Sequence, residues 1–187
     1  MTEPPLPTPA HTIGPFYGHA LPFPGGGDIA PPGRPDTITL HGHVLDGAGA
    51  PVPDALLDFW QAAPDGSLTG APGSLRRDPS TGGFLGRDGV DFTGFGRVAT
   101  DADGRYVLRT LPPGNTGLPY VAVCVFARGL THHLFTRAYL ADGTDPLLDA
   151  LPDERRATLI ATAGPPRTYR FDIRLQGEGE TVFLEFR

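Results

Sequence analysis

The sequence predicts an all-β protein, an antiparallel β-sandwich of about seven or eight strands with a Pro/Gly-rich N-terminal arm and one short helix. Two observations carry this prediction. The 187 residues include 26 Gly and 22 Pro, a composition that favours short strands joined by turns. Alternating or β-branched runs recur between turn signals, without a regular strand–helix alternation. The length fits a single domain, which we place at 37–187 after an arm at 1–36.

The first elements follow from proline content and periodicity. The arm at 1–36 is expected to be extended, because its many prolines disfavour a regular helix. Residues 37–45 alternate between apolar and polar side chains, which predicts a half-buried strand. A second strand is predicted at 55–62. The Gly-, Asp- and Ser-rich stretch 63–94 has little periodicity and is expected to be a long functional or partner-packed loop.

Later elements show similar signals. Runs at 96–100 and 105–111 flank an Asp-Gly turn and predict a β-hairpin. The apolar run 120–127 predicts a central strand buried on both faces. It contains Cys124, the one cysteine of the chain, which we interpret as a small buried hydrophobe. The remaining predictions are strands at 134–140, 169–175 and 181–186 and a helix at 152–162.

Charge and hydropathy exclude several classes of partner. The net charge is −6 and no basic stripe occurs, so nucleic acid is not expected to bind. The N-terminus has neither a basic start nor an apolar stretch, which argues against a signal peptide. No window approaches the roughly 20 apolar residues of a membrane span. We therefore expect a soluble, cytoplasmic protein.

The histidines are the obvious metal candidates. His41 and His43 are two residues apart on a predicted strand and share a face, so they would chelate a metal if a third ligand converged. The same face carries Thr37 and Thr39, which favours solvent exposure instead. Two functions remain open at this point. One is a self-sufficient metalloenzyme built on this histidine pair, and the other is a non-catalytic β-sandwich binding module.

Eight motifs occur in a fixed order along the chain. The first five are Thr12-Ile-Gly-Pro-Phe16, Gly42-His-Val-Leu-Asp-Gly47, Trp60-Gln-Ala62, Gly96-Arg-Val-Ala-Thr-Asp101 and Leu111-Pro-Pro-Gly114. The other three are Phe126-Ala-Arg-Gly-Leu130, Leu134-Phe-Thr-Arg137 and the terminal run that begins at Tyr169. With these motifs in this order, the chain resembles the intradiol ring-cleavage dioxygenase family. Within that family it is most similar to the α subunits of the members that cleave protocatechuate.

The resemblance implies a chemistry. Family members hold non-haem Fe(III) with two Tyr and two His, and anionic oxygen ligands suit this hard ion. A catecholic substrate and O2 react so that the ring opens between the two hydroxyl-bearing carbons. For protocatechuate the product is 3-carboxy-cis,cis-muconate, within aromatic catabolism by the β-ketoadipate pathway.

This sequence departs from the family pattern at the ligand positions. The first Tyr should follow the Trp-Gln-Ala motif, yet residues 64–68 contain none. The second should follow the Pro-Gly turn, where 115–117 read Asn-Thr-Gly. The His-x-His pair is replaced by Tyr120 and Ala122. We therefore expect no metal and no complete catalytic set on this chain, and Fe(III) on a partner β subunit.

The resemblance also implies what this chain supplies. In the family, α and β subunits pair as similar sandwiches with the active-site cleft between them. Thr12, Gly14 and Pro15 match an arm that lines this cleft, and Arg128 matches an arginine there. A guanidinium suits the carboxylate of protocatechuate, so these four residues are the predicted substrate-binding set. The alternatives are an interface salt bridge for Arg128 and a packed arm without substrate contact.

Overall fold

The computed structural model describes residues 17–70, 75–87, 90–114 and 117–185. It is a β-sandwich, which confirms the predicted fold class. The described ranges hold three helices and eleven strands, more strands than predicted because several have only two or three residues. In chain order they are α1 (Tyr17–Ala20), β1 (Ile38–Leu45), β2 (Leu56–Trp60), β3 (Leu75–Arg77), β4 (Phe84–Arg87), β5 (Phe95–Ala99), β6 (Arg105–Thr110), β7 (Tyr120–Phe126), β8 (Leu134–Tyr139), α2 (Pro146–Asp149), α3 (Asp153–Ala157), β9 (Thr162–Gly164), β10 (Thr168–Arg170) and β11 (Ile173–Arg174).

Two main sheets form the sandwich. One has the order β11-β1-β10-β9, with β6 also paired to β1, and the other has the order β5-β2-β7-β8. β3 and β4 form a separate two-stranded sheet inside the segment expected to be a loop. β10 and β11 run parallel to β1, so the first sheet is mixed rather than antiparallel. The described helices have at most five residues, too few to cross a membrane.

The core lies between the two sheets and follows the sequence alternation. β1 alternates buried and half-buried positions along its whole length, as predicted. β7 was expected to be buried on both faces, and this is wrong. Val121, Val123 and Val125 point into the core, whereas Tyr120 and Ala122 on the other face are half-buried. The outer face of the β5-β2-β7-β8 sheet is therefore partly open.

The predicted hairpin of β5 and β6 is also wrong. The tight turn does form, with the Gly104 amide donating to the Asp101 carbonyl at 2.9 Å. However, β5 pairs with β2 and β6 pairs with β1, so the turn joins the two layers of the sandwich. An Asp-Gly turn signals a chain reversal, and that local signal does not specify which sheet each strand joins.

The helix predicted at 152–162 is shorter in the structure and ends at Ala157. The Thr158 hydroxyl donates to the Arg155 carbonyl, and the next residues bond to β8 instead of continuing the helix. Tyr139 exchanges backbone hydrogen bonds with Leu159 and Ala161, both at 2.8 Å. Sheet pairing thus ends the helix, a tertiary effect that local propensity does not contain.

Three short segments also differ from their predicted structure. α1 lies within the arm expected to lack helix. α2 was not predicted, although Asp145 caps it by accepting from the Leu147 amide at 2.9 Å. The stretch predicted as a strand at 181–186 forms, over its described part, only an isolated bridge between Leu184 and Phe135.

Gly42 lies where β1 meets the segment between β10 and β11. A Cβ at this position would overlap the carbonyl oxygen of Phe171. The same carbonyl accepts a hydrogen bond from the buried Tyr106 hydroxyl at 2.5 Å. The backbones therefore approach so closely that only glycine fits.

We expect Gly42→Ala to lower the free energy of unfolding by about 1–3 kcal/mol, because the added methyl group forces the strands apart. Denaturant unfolding of the purified chain measures this. Gly117→Ala is the control, since a Cβ there meets no described atom within 4 Å. Equal unfolding free energies for the two variants would contradict the close approach.

A partly buried ion pair lies on the outer face of the β5-β2-β7-β8 sheet. Arg97 donates to both carboxylate oxygens of Asp58, at 2.6 and 2.7 Å. Cys124 is the cross-strand neighbour of Asp58 and is itself buried. Burial is the larger of two effects that raise the pKa of the Cys124 thiol to about 12, and the Asp58 carboxylate is the smaller. The thiol is therefore protonated at neutral pH and behaves as a small hydrophobe.

Cys124 should resist thiol reagents in the native chain at pH 8, because the reactive thiolate is scarce and the sulfur is covered. The measurement is the rate of disulfide exchange with a chromogenic reagent. The same chain in denaturant should react fully, which serves as the internal control. A native rate equal to that of free cysteine would show that the thiol is neither buried nor perturbed.

Candidate functional site

Antiparallel pairing of β2 and β7 creates the two features of interest. Trp60 faces Ala122 at one end of the pair, and Leu56 faces Phe126 at the other. A cavity lies at the Trp60 end. At the Leu56 end, Asp54 just before β2 and Arg128 just after β7 approach each other.

The cavity at the Trp60 end has a volume of about 190 Å³. Its lining includes Leu68, Tyr120 and Ala122, from two of the stretches where the resemblance leads us to expect iron ligands. The structure thus brings these sequence positions together. The third such stretch, 115–117, lies outside the described residues except for Gly117. Trp60, 56% exposed, forms one wall and packs on Phe95 with ring centroids 4.5 Å apart.

Two polar side chains near this cavity, those of Arg137 and Gln61, are already engaged. The Arg137 guanidinium lies 4.4 Å from the centre of the Tyr120 ring and also donates to the Tyr139 hydroxyl. The Gln61 amide donates to the Leu111 carbonyl at 2.8 Å and accepts from the Thr110 hydroxyl at 2.7 Å. The family resemblance implies a ferric site built from two tyrosines and two histidines. The described lining offers one phenol and no imidazole, so it does not fit that ion.

The histidine pair on β1 has no converging set of further ligands among the described residues. The described residues contain no group of three or more His, Cys, Asp and Glu side chains placed to hold an ion. His43 Nδ1 lies 3.4 Å from Asp172 Oδ1, and the other carboxylate oxygen pairs with Arg170 at 2.7 Å. Burial raises the pKa of Asp172 but is outweighed by Arg170 and the His43 amide, so that the net shift is downward. This carboxylate therefore stays ionised within a surface ion-pair network.

Arg128 lies in a tight turn that follows β7. The Leu130 amide donates to the Ala127 carbonyl at 3.3 Å, and Gly129 adopts a left-handed φ of 88°. The turn points Arg128 into a second cavity, of about 380 Å³, whose lining also includes Asp54, Leu175 and Gln176. Arg128 Nη2 lies 2.8 Å from Asp54 Oδ2, and the arginine side chain is 61% exposed.

The described start of the arm is anchored beside this ion pair. The Tyr17 hydroxyl donates to the Asp54 carbonyl at 3.2 Å, and the Tyr17 ring packs on Phe126. Burial raises the pKa of Tyr17, and the nearby Asp54 carboxylate raises it further. The hydroxyl therefore stays protonated and remains a hydrogen-bond donor. The predicted arm residues Thr12, Gly14 and Pro15 lie outside the described residues. Their role and that of Arg128 as substrate ligands stay predictions.

Sequence reasoning missed Asp54. The residue has a left-handed φ of 61°, which is uncommon outside glycine. Its Oδ1 atom is buried and has no hydrogen-bond partner among the described residues. The sequence places Asp54 after Pro53, but nothing local indicates that Arg128, far along the chain, is its partner.

Comparisons with known proteins identify the family of this chain. A family model described as dioxygenase matches residues 24–137. The protocatechuate 3,4-dioxygenase α chain of Burkholderia cepacia is 38% identical, covering 95% of this chain and 96% of that one. The β chain from the same organism is 29% identical and covers 78% of this chain and 67% of that β chain.

Solved structures give the same answer. The dioxygenase domain of a dioxygenase and carbohydrate-binding protein fusion from Streptomyces sp. SirexAA-E superposes with a TM-score of 0.56 at 29% identity. The match covers 80% of this chain and 86% of that domain. The chain therefore belongs to the intradiol ring-cleavage dioxygenase family, and its likeness to a protocatechuate 3,4-dioxygenase α chain covers nearly its whole length.

Proposed function

We propose that this chain is the iron-free α subunit of a protocatechuate 3,4-dioxygenase. In this proposal it pairs with a β subunit that holds the non-haem Fe(III), and the pair cleaves protocatechuate with O2. The observation that carries the proposal is the cavity at Trp60. It gathers residues from stretches that replace the family's ligands, yet the described lining has no imidazole and a single phenol.

The likeness to a β chain supports a paired assembly. Two chains of one family share the sandwich, so they present related surfaces to each other. The open outer face of the β5-β2-β7-β8 sheet offers such a surface, since Trp60 is exposed there and large aromatics are favoured at protein interfaces. A cytoplasmic location remains part of the proposal.

Arg128 is this chain's proposed contribution to the substrate. Protocatechuate carries a carboxylate opposite the ring positions that react, and a guanidinium binds such a group by charge-assisted hydrogen bonds. Arg128 is exposed, lies in a cavity and projects from a tight turn, so it is accessible to a molecule bound between two chains. It would orient the ring without taking part in the bond changes.

The test uses the complex obtained by co-expression with a candidate iron-bearing β chain, which should be coloured and consume oxygen with protocatechuate. Arg128→Ala should lower kcat/KM for protocatechuate about 10- to 100-fold, the range for one lost charged hydrogen bond. Catechol, which lacks the carboxylate, should be turned over with nearly unchanged kcat/KM. Oxygen consumption measures both.

Arg109→Ala is the matched control. Arg109 is 60% exposed and pairs with Asp28, so the substitution likewise removes an exposed arginine and leaves an aspartate unpaired. It should leave both substrates unaffected. Equal losses for protocatechuate and catechol in Arg128→Ala would instead assign Arg128 to the subunit interface.

A further inference from the structure

Asp54 occupies a costly position. Its φ of 61° is disfavoured for a residue with a Cβ, although aspartate tolerates this region better than most. Hydrogen bonds on both sides hold the turn that gives Asp54 this φ angle. The Thr100 hydroxyl donates to the Val52 carbonyl at 2.9 Å, and the Tyr17 hydroxyl donates to the Asp54 carbonyl at 3.2 Å. The backbone is therefore held in this conformation by its surroundings.

The carboxylate of Asp54 is only half satisfied. Oδ2 pairs with Arg128, while Oδ1 is buried without a hydrogen-bond partner among the described residues. An exposed ion pair adds little to stability, whereas a buried acceptor that lacks a donor destabilises the fold. Stability alone does not explain an aspartate at this position. Strain and unsatisfied polar groups that persist in a structure are typical of functional sites.

We propose that Asp54 is a positioning residue that holds the Arg128 guanidinium in place for the carboxylate of a catecholic acid. This inference rests on the proposed function and deepens it. A guanidinium has five N–H donors, and the ion pair with Asp54 joins Nη2 to the single oxygen Oδ2. One carboxylate oxygen cannot engage all five donors, so Arg128 also has donors for a second carboxylate. An arginine side chain has considerable rotamer freedom, so ordering it before the substrate arrives reduces the entropy lost on binding.

The test is Asp54→Asn in the co-expressed complex, with Asp54→Gly as a second variant. Asparagine and glycine both accept a left-handed φ, so neither adds strain, and both remove the charge. KM for protocatechuate should rise about 3- to 10-fold, the range for ordering one long side chain, with kcat changed less than about 2-fold. KM for catechol should stay the same. Asp28→Asn, from the exposed pair with Arg109, is the matched control.

The double variant Arg128→Ala with Asp54→Asn gives a second measure. If Asp54 acts through Arg128, the double variant should have the same KM for protocatechuate as Arg128→Ala alone. A further, additive rise would overturn the proposal. So would an unchanged or lowered KM in Asp54→Asn, an equal rise for catechol, or loss of the complex in both Asp54 variants.

The outcomes also separate this proposal from the one on which it rests. If Arg128→Ala discriminates between the two substrates and Asp54→Asn does not, the positioning role fails and the proposed function stands. If Arg128→Ala itself shows no discrimination, the proposed role of Arg128 at the substrate fails first.

Discussion

Antiparallel pairing of β2 with β7 is the constraint on which the rest depends. The register runs from Leu56 opposite Phe126 to Trp60 opposite Ala122. It places the residues before β2 beside those after β7, which brings Asp54 to Arg128. At the other end it places the Trp-Gln-Ala motif beside Tyr120 and Ala122, which creates the cavity. The pairing of β2 with β7 thus positions both the Asp54–Arg128 ion pair and the cavity at Trp60.

The sandwich also explains how a chain of this family can change the side chains that line its cavity and remain folded. The inner face of each strand builds the core, as Val121 and Val123 do in β7. Tyr120 and Ala122 alternate with them and point to the outer face. Substitutions on this outer face change the donor set and leave the core between the two sheets in place. The fold therefore tolerates different chemistry at the cavity, and function follows from the site rather than the sandwich.

Sequence reasoning recovered features with local signals and missed those set by tertiary pairing. The alternation of buried and half-buried positions in β1 was predicted correctly, because apolar and polar side chains alternate in its sequence. β5 and β6 lie in different sheets, and β10 and β11 each pair in parallel with β1. Both features depend on distant strands. Arg128 was selected through its motif, whereas Asp54 emerged only from its contact with Arg128 and its backbone angle.

In the proposed function, this chain helps to shape the cleft and orient the substrate, and its partner subunit holds the Fe(III). Metal analysis of the chain purified alone and of the co-expressed complex tests it most directly, after both are exposed to the same iron supply. The account predicts no stoichiometric iron in the lone chain and stoichiometric iron, with ring cleavage, in the complex. Stoichiometric iron or ring cleavage in the lone chain would contradict it.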